Sequence, residues 1–443
     1  MSLAQDFREG LSSRTLCVGV IGLGYVGLPL ARAFCDAGLR CVGFDTDPEK
    51  VRKLSQGQSY IHHIPPAEIA RMRQGDRFVA TGDFANLRQC GAILICVPTP
   101  LTQHREPDLS FIVSTAESIA PHLQRGQLVS LESTTYPGTT DEVLRPILER
   151  GGLKAGQDFF LAFSPEREDP GNPKYETRTI PKVVGADDKT SQELAVALYG
   201  TVVARVVPVS STRAAEAVKL TENIFRSINI ALVNELKLVY EKMSIDVWEV
   251  IDTASTKPFG FMPFYPGPGL GGHCVPIDPF YLTWKAREFD VPTRFIELAG
   301  EINVAMPLHV VRRLAESLDS RFGAGLRGAR ILVLGVAYKK NVDDTRESPA
   351  LRILDLLRAR GAQASYFDPY VPVIPPTREH AQLTGTRSIT WSPQALAEFQ
   401  AALVVTDHDQ VDYAELVAHS RLVVDTRNAT KGVREHRDRI VKA

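Results

Sequence analysis

The sequence predicts an α/β fold with two doubly wound parallel sheets joined by a long central helix. Apolar runs alternate with helical patterns over residues 1–211 and again from residue 323 onward, which is typical of parallel β/α units. Between them, the stretch TRAAEAVKLTENIFRSINIALVNELKLVYEKM from Thr212 to Met243 holds neither proline nor glycine. One helix of that length would be about 48 Å long, as expected for an element that joins domains or forms a dimer core.

Composition excludes several classes of protein. The chain of 443 residues is 44% hydrophobic and 23% charged, with a formal net charge of -1, which indicates a globular protein of two or three domains without affinity for nucleic acid or anionic membranes. No apolar run reaches the roughly 20 residues of a membrane span. The polar N-terminus MSLAQDFREGLSSR does not resemble a signal peptide, and we expect it to be a flexible arm or a helical turn.

Six cysteines are scattered along the chain without metal-site spacing, so we expect no metal centre and a reducing, cytoplasmic location. The adjacent His62 and His63 also lack metal-ligand spacing, and we expect them in a loop near the site. The predicted domains are 1–211, 212–322 and 323–443.

The first β/α unit carries a glycine motif. The apolar run TLCVGVI is followed by GLGYVG, with Gly22, Gly24 and Gly27 in G-x-G-x-x-G spacing, then by a helical pattern and a second strand ending on Asp45. In that context the motif predicts a dinucleotide site, with the pyrophosphate at the helix N-terminus. An acid at Asp45 would bind the ribose hydroxyls and disfavour a 2′-phosphate, so NAD is expected over NADP. The alternative is a glycine-rich turn without a ligand.

Three further predicted strands end in polar residues. Ala92 to Val97 precedes PTP with Thr99, Leu128 to Leu131 precedes EST with Thr134, and Phe159 to Phe163 precedes SPER with Glu166 and Arg167. Ligands of open α/β sheets bind beyond the carboxyl ends of the strands, so these ends are candidates for one site. Alternatively, these residues merely terminate strands.

The stretch PGPGLGGHCVPIDPFYLTWKARE holds Cys274 behind Gly271 and Gly272, with Asp278 four residues on. Glycines leave a thiol sterically open, and a nearby acid could act as a base or orient water. A buried structural cysteine is the alternative. On the long helix, Lys219 and Asn223 are four residues apart and share a face. They could stabilise an oxyanion, or be a solvated lysine and a cap-like asparagine.

The region after residue 323 reads as a second α/β unit without the glycine motif. Its strands are RILVLGVAY, QASYFDP, AALVVTDH and RLVVDTRN. The first strand is followed by KKNVDDTRES, which contains Lys339 and Arg346. A phosphate-bearing ligand at this strand end is one interpretation, and a solvated charged loop is the other.

Taken together, these stretches resemble the UDP-glucose/GDP-mannose dehydrogenase family. The matching segments are GLGYVGLPLA, CVPTP, EST, SPER, AEAVKLTENIFR, GPGLGGHCVPIDPFYL, GVAYKKNVDDTRESPA and DTRN, and they span nearly the whole chain in the family's order. The resemblance implies two Rossmann-like doubly wound domains joined by a long central helix, in a homodimer or higher homo-oligomer. It also implies NAD as cofactor and a UDP-sugar as substrate.

The resemblance assigns roles residue by residue. The catalytic set it implies is Cys274, Lys219, Asn223, Asp278, Glu166 and Thr134. The implied cofactor-binding set is Gly22, Gly24, Tyr25, Val26, Gly27, Asp45, Lys50, Thr99, Thr134 and Arg346. The implied substrate-binding set is Glu166, Arg167, Lys219, Asn223, Tyr265, Gly271, Lys339 and Arg427.

Two departures bear on the sugar. Pro170 stands where UDP-glucose enzymes often carry a second acid, and STKPFGFMPFY offers Lys257 where they often carry an arginine. The resemblance therefore favours UDP-N-acetylglucosamine, oxidised twice at C6 through a Cys274 thiohemiacetal and thioester, over UDP-glucose or the N-acetylmannosamine and N-acetylgalactosamine analogues. A two-electron alcohol dehydrogenase with a structural Cys274, and an NAD-binding protein without turnover, are the remaining alternatives.

Overall fold

A computed structural model describes residues 2–61, 64–102, 106–167, 178–272, 275–377 and 379–443. The chain divides into two compact units, the first made of Met1–Glu222 and Phe280–Val291 and the second of Asn223–Pro279 and Pro292–Ala443. The division into domains 1–211, 212–322 and 323–443 stays a prediction.

The first unit is built on an eight-stranded sheet in the order β3-β2-β1-β4-β5-β6-β7-β8. Its strands are β1 Cys17–Ile21, β2 Arg40–Phe44, β3 Phe78–Thr81, β4 Ala92–Ile95, β5 Leu128–Leu131, β6 Phe160–Phe163, β7 Lys182–Gly185 and β8 Val206–Val209. Strands β1 to β6 are parallel, whereas β7 meets β6 antiparallel and pairs parallel with β8.

The helices of the first unit are α1 Leu3–Ser12, α2 Gly27–Asp36, α3 Pro48–Ser55, α4 Pro66–Arg73, α5 Ser110–Ile119, α6 Arg145–Leu148 and α7 Lys189–Tyr199. Alternation along each buried strand divides the core between the two faces of the sheet. In β1, Val18 and Val20 face one apolar cluster, and Cys17 and Ile21 face the other.

The second unit holds a five-stranded parallel sheet in the order β10-β9-β11-β12-β13. Its strands are β9 Arg330–Leu334, β10 Gln363–Phe367, β11 Ala401–Val404, β12 Val423–Asp425 and β13 Ile440–Lys442. Its helices are α9 Val247–Ala254, α11 Arg294–Phe322, α12 Pro349–Ala359, α13 Pro393–Ala397 and α14 Tyr413–His419. Two helices, α8 Thr212–Lys242 and α10 Asp278–Ala286, cross from one unit to the other along the chain. The predicted fold class is confirmed.

Helix α8 begins at a side-chain hydrogen bond and is followed by a residue with left-handed backbone conformation. Asp187 accepts hydrogen bonds from the Thr212 N–H at 3.2 Å and the Thr212 hydroxyl at 2.9 Å, which satisfies the start of the helix. Helix α8 ends at Lys242, and Ser244 two residues later adopts a left-handed φ of 57°. Asp246 then caps α9 by accepting from the Trp248 N–H at 3.0 Å.

The second unit anchors the turn after its first strand with a buried carboxylate. Asp368, directly after β10, accepts hydrogen bonds from the N–H groups of Val336 at 2.7 Å and Ala337 at 3.1 Å. Its other carboxylate oxygen accepts from the N–H groups of Tyr370 and Val371. The His408 Nε2 lies 3.0 Å from the oxygen that accepts from Val336 and Ala337. Burial opposes the ionised form, but the hydrogen bond from His408 holds the pKa of Asp368 below its usual value.

In the first unit, Glu216 of α8 ties the helix to the loop after β5. Its carboxylate accepts hydrogen bonds from the Gly138 N–H at 2.5 Å, the Thr140 N–H at 2.9 Å and the Thr140 hydroxyl at 2.7 Å. The side chain is fully buried. Burial raises the pKa of Glu216 to about 7 in spite of these donors.

Replacing Glu216 with glutamine should flatten the dependence of stability on pH. A carboxyl whose pKa is higher in the folded than in the unfolded state stabilises the fold fully below the unfolded value, and this contribution is lost as pH rises through 7. At about 1.4 kcal/mol per unit of pKa difference, wild type should lose about 3 kcal/mol more than Glu216→Gln between pH 4 and pH 8.

Melting temperatures of both proteins across this range measure the effect, apart from a constant offset for the lost hydrogen bonds. Glu117→Gln, at a half-exposed position in the same unit, is the control and should keep the wild-type slope. Parallel curves for wild type and Glu216→Gln would contradict the assignment.

Candidate active site

The turn after β1 has the shape that a dinucleotide requires. Gly22 has a φ of 90°, and a Cβ there would lie 2.5 Å from the Cys96 carbonyl oxygen. A Cβ on Gly27 would lie 1.9 Å from the Gly22 carbonyl oxygen, whereas one on Gly24 would meet open space. Helix α2 follows from Val26 without a side-chain cap. Within α2 the Leu28 N–H donates to the Gly24 carbonyl at 3.1 Å and Pro29 has no N–H, so the Gly27 N–H and the positive end of the helix dipole would hold a pyrophosphate. With the close approach that the glycines allow, the residues present fit NAD.

Asp45 lies directly after β2, beside this turn. One carboxylate oxygen accepts from the Leu23 N–H at 2.9 Å and lies 3.2 Å from the Lys50 ammonium. The other accepts from the Asp47 N–H at 2.9 Å. These contacts orient the acid predicted to bind the ribose, and they bring Lys50 to it. Tyr25 of the same turn is half-buried against the core.

The loops after β4 and β5 are joined at the same edge of the sheet. The Ser133 hydroxyl donates to the Val97 carbonyl at 2.7 Å, and the Thr99 carbonyl accepts from the Tyr281 hydroxyl at 2.9 Å. Thr99 is buried and Thr134 is half-buried. The structure thus places both threonines on neighbouring strand ends, as the sequence predicted.

Glu166, after β6, is held from several sides. The Lys219 ammonium of α8 donates a hydrogen bond to the Glu166 carbonyl oxygen at 2.5 Å. The Glu166 carboxylate accepts a hydrogen bond from the Arg167 N–H at 2.6 Å. The Arg167 guanidinium is bound to the Pro181 carbonyl at 2.7 Å and to Glu222 at 2.5 Å. Three predicted site residues of the first unit, Glu166, Arg167 and Lys219, are therefore in direct contact.

Sequence reasoning missed a buried ion pair beside Glu166. The Lys182 ammonium lies 2.8 Å from Glu132 and 3.9 Å from the Glu166 carboxylate. Tyr199 donates a hydrogen bond to Glu132 from the far side. Burial disfavours the charge on Lys182, but the carboxylates of Glu132 and Glu166 raise its pKa above the ordinary value. The available signal was a lysine at the head of an otherwise apolar strand, IPKVVG.

In the second unit, Asn223 and Asp278 form a buried pair. The Asn223 side-chain amide donates to the Asp278 carboxylate at 2.5 Å, and both residues are nearly inaccessible to solvent. Helix α10 begins at Asp278. Asn223 was predicted to face an oxyanion, and here one of its N–H groups is directed to Asp278.

The glycines before Cys274 pack against the loop between β9 and α12. The Gly272 N–H donates to the Arg346 carbonyl at 3.1 Å, and a Cβ on Gly271 would lie 2.7 Å from the Tyr338 Cβ. Lys339 directly follows Tyr338. Cys274 itself lies outside the described residues, as do His62, His63 and Pro170.

The remaining predicted substrate residues differ in their surroundings. The Arg427 guanidinium, bound to the Val405 carbonyl at 3.0 Å, packs so closely on Gly267 that a Cβ there would lie 2.6 Å from it. Burial lowers the pKa of Arg427, although Asp407 and Asp425 oppose the shift.

Arg346 and Tyr265 have protein partners in this structure. The Arg346 guanidinium is paired with Asp344 at 2.6 Å. The Tyr265 ring stacks on Trp248 with centroids 5.5 Å apart, and its hydroxyl donates to Asp252 at 2.6 Å, which raises its pKa. Tyr265 is 42% exposed, and its hydroxyl oxygen can accept a hydrogen bond while it donates to Asp252.

Three domains of one family match the chain. The NAD binding domain of the UDP-glucose/GDP-mannose dehydrogenase family matches residues 16–203, its central domain residues 213–305 and its UDP binding domain residues 332–432. Expectations of an NAD cofactor and of this family are confirmed. None of the described helices combines the length and apolar character that crossing a membrane would need.

Individual relatives agree with the family but differ in the sugar they name. The chain is 37% identical over 360 residues to UDP-N-acetyl-D-glucosamine 6-dehydrogenase of Pseudomonas aeruginosa, covering 81% of this chain and 84% of that one. It is 34% identical over 425 residues to UDP-N-acetyl-D-mannosamine dehydrogenase of Pyrococcus horikoshii, covering 94% and 96%. A solved structure of UDP-D-ManNAc dehydrogenase from Pyrococcus horikoshii superposes with a TM-score of 0.85 at 32% identity, covering 95% and 96%. The chain therefore belongs to the UDP-glucose/GDP-mannose dehydrogenase family, as an NAD-dependent oxidoreductase of nucleotide sugars.

Proposed function

We propose that this enzyme oxidises the C6 alcohol of UDP-N-acetylglucosamine to the carboxylate in two NAD-dependent steps. The observation that carries the proposal is the packing of Gly271 and Gly272, three and two residues before Cys274, against the loop that carries Lys339 in the UDP binding region. That packing supports a nucleophilic thiol near a bound UDP-sugar.

The proposed chemistry passes through two covalent states on Cys274. The first oxidation removes a hydride and a proton from the C6 alcohol, leaving an aldehyde to which the Cys274 thiolate adds as a thiohemiacetal. The second oxidation removes a hydride and a proton from this adduct and leaves a thioester. Water then forms the new C–O bond, the C–S bond breaks, and the thiolate is released with the carboxylic acid. When bound, NAD supplies the hydride acceptor for each oxidation.

Lys219 and Asn223 are the proposed donors to the tetrahedral oxyanions. The Lys219 ammonium carries three N–H groups, of which one is donated to the Glu166 carbonyl. The Asn223 amide carries two, of which one is donated to Asp278. Within the part of the chain that the structure describes, each side chain therefore keeps donor capacity for an oxyanion. For the attacking water, Glu166, Asp278 and Thr134 are the proposed activating and orienting groups.

The choice of sugar is supported by two findings. Relatives in Pseudomonas aeruginosa and Salmonella typhi, 37% and 33% identical, are named for UDP-N-acetyl-D-glucosamine. Lys257 stands in the stretch before the cysteine loop where UDP-glucose enzymes often carry an arginine. UDP-N-acetylmannosamine is the second candidate, favoured by the TM-score of 0.85 with the Pyrococcus horikoshii structure.

A panel of UDP-sugars tests the proposed function. UDP-N-acetylglucosamine should give the highest kcat/KM and two NADH per sugar, because both oxidations occur before release. The panel contains the N-acetylmannosamine, N-acetylgalactosamine and glucose analogues, and NADH absorbance measures rate and yield. A higher kcat/KM for another sugar would reassign the substrate, and a yield of one NADH would show a two-electron dehydrogenase.

The substitution Cys274→Ser should prevent completion of the four-electron reaction while NAD binding is retained. A hydroxyl is a poorer nucleophile, and an ester would hydrolyse more slowly than the thioester. The NADH yield should fall from two to one or less per UDP-sugar, measured together with intact-protein mass for a trapped sugar. Two NADH at nearly the wild-type rate would show that Cys274 is a packing residue.

We further propose that the enzyme is a cytoplasmic homodimer. The described cysteines Cys17, Cys35, Cys41, Cys90 and Cys96 are free thiols, which supports a reducing compartment. In the second unit, the part of α8 from residue 223 onward and helix α11 expose apolar side chains, and burial of such surface drives association. These apolar stripes comprise Phe225, Leu232 and Val239 on α8 with Met243 directly after it, and Phe295, Leu298, Val304 and Leu308 on α11.

A charge placed in these stripes should dissociate the dimer. Phe295, which is 76% exposed, would become buried against a second copy, so Phe295→Glu should place an unpaired carboxylate in the interface. Sedimentation velocity should give the mass of two chains for wild type and of one for the variant. Phe111→Glu, at a 45% exposed position in the first unit, is the control and should stay dimeric. A wild-type mass of one chain at every concentration would contradict the proposal.

A further inference from the structure

The buried lysine of β7 lies between two carboxylates. The Lys182 ammonium donates to a Glu132 oxygen at 2.8 Å and to the Pro165 carbonyl at 3.4 Å, and lies 3.9 Å from a Glu166 oxygen. Only 7% of the Lys182 side chain, none of the Glu132 side chain and 17% of the Glu166 side chain is exposed. The Lys182 ammonium thus interacts electrostatically with both carboxylates in a largely buried environment.

The buried Glu132 carboxylate is fixed in position by several hydrogen bonds. It accepts hydrogen bonds from the Tyr199 hydroxyl and, at 3.5 Å, from the Ser130 hydroxyl, in addition to Lys182. Glu166 is the more accessible of the two acids and lies at the edge of the sheet, where Lys219 binds its carbonyl. Among the residues that the structure describes, the charged and titratable groups near Glu166 include Lys182, Glu132 and Lys219, together with the Cys96 thiol and the adjacent Arg167.

Stability alone gives a weak reason for such a cluster. Removing an ammonium and a carboxylate from water is costly, and well-packed apolar residues often stabilise a fold as much as a buried ion pair does. The neighbours Val183 and Val184 show that β7 accepts apolar side chains. A charge kept there is therefore better explained by its effect on Glu166.

We propose that Lys182 is a positioning residue that holds Glu166 as a carboxylate for the hydrolytic step. The negative charge of Glu132 partly offsets the electrostatic effect of Lys182 on Glu166. This inference rests on the proposed function. In that step Glu166 takes a proton from water, the water oxygen bonds to the acyl carbon, and the C–S bond breaks to release the Cys274 thiolate. A cation within 4 Å favours the ionised acid that this proton transfer needs.

In a plot of kcat against pH, the acidic limb is the range in which kcat falls as pH is lowered. Two variants should shift this limb in opposite directions. Glu132→Gln removes the competing carboxylate, so Lys182 acts on Glu166 alone and the limb should move to lower pH by about one unit. The double variant Lys182→Met/Glu132→Gln removes the cation and leaves neither member of the pair as an unpaired buried charge. Its limb should move to higher pH by about one unit.

The covalent intermediate provides a second readout. At a pH below its shifted limb, the double variant should accumulate the Cys274 acyl-enzyme, seen as added sugar mass on the intact protein, because hydrolysis is slowed after both oxidations. Lys154→Met, which removes the cation of an exposed pair with Glu149 in the same unit, is the control. It should keep the wild-type limb and accumulate no adduct.

The outcomes separate this inference from the proposed function. If wild type gives two NADH per sugar but all variants share its acidic limb, Lys182 is structural and the inference is wrong. The same conclusion follows if rates fall only in proportion to a lowered melting temperature. If wild type gives one NADH and forms no adduct, the proposed function itself fails.

Discussion

Both sheets depend on one constraint: a carboxylate after the second strand fixes the turn after the first. Asp45 accepts from the Leu23 N–H, and Asp368 accepts from the N–H groups of Val336 and Ala337. Such turns present backbone N–H groups that no strand partner satisfies, and a buried unpaired N–H is costly. Because the same bonds set the direction in which the chain leaves the sheet, they also determine which groups reach a ligand at its carboxyl edge.

Much of the architecture follows from local patterns. Strands buried on both faces read as continuous apolar runs, so β1, β4 and β9 could be located from sequence. The glycine spacing and the acid after β2 predicted the turn geometry that Gly22, Gly27 and Asp45 adopt. Helix α8 was predictable because it lacks helix breakers over 31 residues. The positions of the polar residues at the strand ends were likewise predictable, but their hydrogen-bond partners were not.

Long-range pairing was the part that sequence could not supply. The antiparallel approach of β7 to β6 pairs Phe163 with Gly185. The Lys182–Glu132 contact joins residues 50 positions apart. No spacing rule relates the partners in either case. The left-handed φ of Ser244, two residues after α8, was also not predictable, because serine rarely adopts that conformation. Likewise, the N-terminal segment was expected to be an arm or a single turn, but it forms the ten-residue helix α1, whose Phe7 and Leu11 are buried in the core.

The two anchoring carboxylates differ in how many lone pairs they have left. A carboxylate offers about four acceptor sites. Asp368 already receives four backbone N–H groups and His408, so it is saturated. Asp45 receives two backbone N–H groups and the Lys50 ammonium, which leaves room for a further donor. Among the described residues, the first of these similar turns therefore keeps an acceptor site for the sugar hydroxyl predicted to bind there, whereas the carboxylate at the second turn has none left.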